Sequence, residues 1–117
     1  MGNIASYKDL LVWQKGILLV KEVYKVISKL PKIEQYALAD QMRRVAVSIP
    51  SNIAEGFRRR SKADYLQFLN IANGSAAEIE TQLIIVSEIY NLGTEQAINL
   101  LEEVQKMLYA LISKIRS

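Results

Sequence analysis

Apolar positions along this chain recur at alternating steps of three and four, and four such stretches are separated by short polar breaks. The first is expected to run as a helix from about Tyr7 to Lys29, with Ser6 as its N-cap and Asp9 three residues on as a short-armed capping box. Leu10, Trp13, Ile17, Val20, Tyr24 and Ile27 form one stripe, and Val12, Leu19, Val23, Val26 and Leu30 form a second beside it. Together they cover roughly 200° of the helix, whereas a bundle core needs only about 100° or a little more. The excess width predicts a further buried face against another subunit. Gly16 inside this helix implies close approach of a second helix, since glycine there costs roughly 1 kcal/mol relative to alanine.

Leu30-Pro31-Lys32 is the first break. A second helix is expected from Lys32 or Ile33, with Leu38, Met42, Val45, Ile49 and Ile53 as its seam and Ala39, Ala46 and Ala54 thinning its surface. Pro50 falls inside it, removing one backbone donor and crowding the carbonyl of Ala46. The apolar pattern passes through without a phase change, so the expectation is one continuous, kinked helix rather than two. Gly56 and the arginines that follow mark its end.

The third helix is expected over Lys62–Leu92, opened by Ser61 and Asp64 and closed by Gly93 at the C′ position. Its seam is the most regular in the chain: Tyr65, Leu69, Ala72, Ala76, Ile79, Leu83, Val86 and Tyr90. The small residues from Ala72 to Ala77 predict tight packing at its middle. Thr94 should cap the fourth helix, whose seam is Ala97, Leu101, Val104, Leu108, Leu111 and Ile115. Four helices on short loops give an all-α, up-down-up-down antiparallel bundle, with residues 1–5 as a flexible lead-in and 6–117 as a single domain.

Composition narrows the chemistry. Among 117 residues there is no cysteine and no histidine, which removes thiol chemistry, the commonest general base and the commonest zinc ligand. Glu55, Glu78 and Glu80 lack the histidine partners of a di-metal bundle site. No nucleophile–base pair and no phosphate loop is visible, so the expectation is a protein with no catalytic, metal-binding or cofactor-binding residues. No apolar run approaches the ~20 residues of a membrane span, and the N-terminus lacks the pattern of a signal peptide. A cytoplasmic location and no membrane partner follow as expectations.

Charge is uneven. Residues 1–62 hold twelve Lys/Arg and five Asp/Glu, whereas residues 63–117 hold three and seven. Pairing between the halves, within or between subunits, is the simpler reading; a face for a polyanion is the other. Arg58, Arg59, Arg60 and Lys62 form a tight basic run at the turn between helices 2 and 3, with Arg43 and Arg44 one helical segment earlier. These six are the candidate nucleic-acid contacts, arginine being suited to forked contacts with phosphate. Gln41, Ser48, Asn52 and Glu55, with Ser75 and Glu78, are candidates for a structural polar network that fixes helix register.

Several runs carry a family resemblance: Leu10-x-Val12-Trp13-Gln14-Lys15; Leu38-x-x-Gln41-x-x-Arg44; Ser48-Ile49-Pro50-Ser51-Asn52-Ile53-Ala54-Glu55-Gly56; and Phe68-Leu69-x-x-Ala72-x-Gly74-Ser75-x-x-Glu78. From Tyr7 to Ile115 the chain resembles the 23S rRNA intervening-sequence proteins, which are similar to the accessory variability proteins of diversity-generating retroelements. The resemblance implies a four-helix protomer of a barrel-like homopentamer, without enzymatic activity. In the retroelement branch it implies a basic surface for RNA or DNA and a reverse transcriptase as partner. The expected function is a non-enzymatic oligomeric accessory protein that binds nucleic acid; the alternative is an interaction scaffold that does not.

Overall fold

The structure, a computed structural model, describes residues 4–117. Residues 1–3 of the expected flexible lead-in lie outside the described residues, and Ile4 and Ala5 have no regular structure. Four α-helices follow: α1 (Leu11–Ile27), α2 (Leu38–Phe57), α3 (Lys62–Tyr90) and α4 (Glu95–Arg116). No strand occurs among the described residues. The helices pack as an antiparallel square, each against its neighbours in chain order, with α4 closing on α1 around one shared core. The 29 residues of α3 span about 44 Å at 1.5 Å per residue, and the molecule is 45 Å long.

The ends of the first two helices depart from expectation. Ser6 accepts from the amide of Lys8 and caps a single 3₁₀ turn, Tyr7–Asp9. Leu10 is then extended, at φ −73° and ψ 125°, and α1 begins at Leu11. The side chain of Gln14 donates to the carbonyl of Lys8 at 2.9 Å and fixes this break. The second helix also begins later than predicted, because Lys32–Glu34 forms another 3₁₀ turn and α2 starts at Leu38. Gln35 accounts for the delay. Its amide donates to the carbonyl of Leu30 and adds a second bond to the carbonyl of Ile27, which already accepts from the Leu30 amide, while its oxygen accepts from Arg43 at 2.8 Å.

The core stripe of α1 is Val12, Leu19, Val23 and Val26, with Gly16. The other stripe is buried only at its ends, Leu10 and Ile27; between them it runs along the edge toward α2, where Trp13, Ile17 and Val20 are half-buried and Tyr24 is exposed. As expected, Gly16 meets a neighbouring helix; a Cβ there would stand 3.4 Å from Cβ of Pro50. α2 is continuous through Pro50. The α3 seam from Leu69 to Val86 is buried throughout. Toward the end of α4, Ile112 is the buried residue, whereas Leu111 and Ile115 are half-buried.

Ser61 caps α3, accepting from the amide of Asp64 at 3.0 Å. The close of α3 is a correction: Asn91, not Gly93, takes the left-handed conformation, at φ 53°. Asparagine tolerates that region better than most residues. Thr94 precedes α4, but its side chain makes no capping hydrogen bond. The small middle of α3 is also narrower than expected. Ala72 and Ala76 are buried, but a Cβ on Gly74 would meet nothing within 4 Å.

Candidate nucleic-acid interface

Gly56 builds the turn that carries the basic run. Its backbone is ordinary helix, but a Cβ there would lie 2.9 Å from Cβ of Phe68 and 3.1 Å from the Tyr65 ring. Glycine is what lets α2 and α3 meet so closely. Just beyond it, Phe57 packs edge-on against Tyr65, with centroids 6.3 Å apart. The amide of Arg58 reaches back to the carbonyls of Ala54 and Glu55, and that of Arg59 to Gly56 at 3.0 Å. With Ser61 capping α3, the backbone of the turn is held at both sides.

The six candidate basic residues then divide. Arg59 is engaged: it pairs with Glu55 at 2.8 Å and its guanidinium lies 4.7 Å from the Phe68 ring centroid. Arg58, Arg60 and Lys62 are exposed and have no ion-pair or hydrogen-bond partner for their side chains among the described residues. A depression of about 510 Å³ separates this turn from the end of α4, and Arg59, Arg60, Lys62 and Lys114 stand around it. A second, about 480 Å³, lies on the other side of the turn, between Tyr7, Glu55 and Arg58.

Arg43 and Arg44 do not join them. They lie near the opposite end of α2, about 20 Å away along its axis. Arg43 donates to the side chain of Gln35 at 2.8 Å and to its carbonyl at 3.4 Å, with Asp40 at 3.9 Å. Arg44 pairs with Asp40 at 2.8 Å.

The polar candidates also separate. The hydroxyls of Ser48 and Ser75 share a 2.6 Å hydrogen bond that joins α2 to α3. Ser48 reaches back to the carbonyl of Val45, and Asn52 donates to the carbonyl of Ser48, both at 2.7 Å. Gln41 accepts from Gln82 at 3.4 Å, a long bond to a partner that sequence reasoning missed. Gln82 sits one position before Leu83 of the seam and is only 6% exposed; its oxygen has no hydrogen-bond partner among the described residues. Glu55 and Glu78 stand outside the network: both are exposed, Glu55 held by Arg59. The Ser48–Gly56 run therefore serves contact with both neighbours, Pro50 toward α1 and Ser48 and Gly56 toward α3.

Among the described residues, no three His, Cys, Asp or Glu side chains are placed to hold a metal ion. No helix among the described residues is long and apolar enough to cross a membrane. The molecule is an all-helical bundle with three exposed, unpaired cations, Arg58, Arg60 and Lys62, at the turn between α2 and α3 among the described residues. A family model described as 23S rRNA-intervening sequence protein matches residues 8–113, and the chain belongs to that family. It is similar to a protein of unknown function from the S23 ribosomal protein family of Bacteroides thetaiotaomicron, at 27% identity and a TM-score of 0.79, over 91% of this chain and 98% of that one. No protein of curated function matches.

Proposed function

We propose that this protein is a non-enzymatic accessory protein that binds nucleic acid through the turn between α2 and α3. The observation that carries the reading is the division of the basic residues. Arg43, Arg44 and Arg59 are compensated within the chain, whereas Arg58, Arg60 and Lys62 face solvent without a counterion. The rigid turn beneath them limits the conformational cost of binding. Phosphate contacts of this kind carry no base information, so binding is sequence-tolerant. The family's name joins it to an intervening sequence of 23S rRNA, which makes RNA the first nucleic acid to test.

Self-association is part of the same proposal. Leu11, Leu18 and Tyr24 leave 55%, 43% and 44% of their surface exposed on one helix, and the Trp13 edge of α1 forms an apolar groove with Val47 and Pro50 of α2. The number five comes from the family resemblance. A ring presents the patch several times, so that weak contacts add by avidity.

The test is fluorescence anisotropy with labelled structured RNA at low salt, comparing wild type with R58A/R60A/K62A. The variant should bind clearly more weakly with its circular dichroism and sizing-column mass unchanged. If the wild-type protein binds neither RNA nor DNA under these conditions, the reading is refuted and the interaction scaffold replaces it.

A further inference from the structure

We infer that the depression between the start of α3 and the end of α4 receives an unpaired base, which makes the partner single-stranded rather than duplex nucleic acid. The inference rests on the nucleic-acid reading above and specifies its ligand. The depression joins two kinds of surface. Arg60 and Lys62 stand at its rim without counterions, and Tyr65, Leu111 and Ile115 give it an apolar wall. It is an open depression of about 510 Å³ rather than an enclosed cavity, so a base can reach it from solvent. A patch that met only the backbone of a duplex would need the cations alone. A duplex keeps its bases in the stack and offers this apolar wall nothing. A single strand can turn a base out against an aromatic ring while its phosphates meet the cations.

The wall is prepared for that contact. Tyr65 is held in place by Gly56 on one side and by the edge-on ring of Phe57, so little side-chain freedom is lost when a base packs there. Its phenol is pushed up by burial and stays protonated. The first turn of α3 also directs the positive end of its dipole toward this side, favouring an adjacent phosphate.

The experiment compares a single-stranded oligouridylate with a blunt duplex of equal phosphate count, at one low salt concentration. The single strand should bind at least about fivefold more tightly, the lower bound for one stacked base. With 4-thiouridine in the strand, photocrosslinks should map to Tyr65 or to the Leu111–Ile115 segment. Y65L and I115S should each lower the single-strand to duplex ratio. Equal or tighter duplex binding, or crosslinks only elsewhere on the wild-type protein, would overturn the inference while leaving nucleic-acid binding intact. Binding of neither probe would overturn both. Should Y65L fail to fold, the wild-type crosslink map decides.

Discussion

Replacing Gly56 with alanine should destabilise the protein, although alanine is the better helix former. In an open helical site the exchange gains roughly 1 kcal/mol. At Gly56 the new methyl would stand 2.9 Å from Cβ of Phe68, 3.1 Å from the Tyr65 ring and 3.2 Å from the Tyr65 carbonyl. Two of these atoms belong to backbone or lie next to it, so α2 and α3 must part rather than a side chain swing away. Overpacking of this kind costs about 1–3 kcal/mol. Gly74 supplies the control, because a Cβ there meets nothing within 4 Å. Both substitutions add the same methyl to a helix, so the difference between them isolates packing and should be about 1–3 kcal/mol. At roughly 4 °C per kcal/mol for a chain of this size, G56A should melt about 4–12 °C below G74A, which places it from level with wild type to about 8 °C below it. Thermal unfolding followed by circular dichroism at equal protein concentration reads this directly, since self-association makes melting concentration-dependent. A G56A protein that melts at or above G74A would refute the claim that close approach of α2 and α3 requires this glycine.

Two further predictions concern titration and the buried amide. Tyr90 donates to the Glu34 carboxylate; that hydrogen bond, then burial, then the Glu34 charge raise its phenol above the ordinary 10.0. Because the folded state holds this proton more tightly than the unfolded chain, its contribution is whole below pH 10 and is lost as pH rises through the raised value. Urea midpoints across an alkaline series should therefore fall more gently for Y90F than for wild type; the Tyr65 phenol, raised by burial, contributes to the decline in both. Gln82→Met removes a buried oxygen that has no hydrogen-bond partner among the described residues and returns Gln41, already exposed, to water. The variant should gain about 1 kcal/mol, and a lower urea midpoint than wild type would show that Gln82 has a partner worth keeping.

What could be read from sequence follows a physical division. The α3 seam, the Ser61 cap and the meeting of Gly16 with a neighbouring helix rest on local periodicity and local hydrogen bonding, both present in the order of residues. The start of α2 does not, because Gln35 sets it by reaching back to Ile27 and Leu30 and forward to Arg43. Nor does the choice between the two stripes of α1, since either could face a core and only the positions of α2 and α4 decide. Gly93 was the obvious helix stop, yet Asn91 takes the left-handed position two residues earlier. The basic run shows the same limit. Arg58, Arg59 and Arg60 are identical in type and adjacent, and only Glu55 and Phe68 separate the middle one from the others.

The central claim is that Arg58, Arg60 and Lys62 are a phosphate-binding surface. Its most direct test is the salt dependence of binding by the wild-type protein to single-stranded RNA. If each of the three contacts one phosphate, log K should fall linearly with log salt at a slope of about −2 for each copy of the patch engaged, since a single strand contributes about −0.7 per phosphate. Absence of binding at low salt, or binding whose strength does not change with salt, would contradict it.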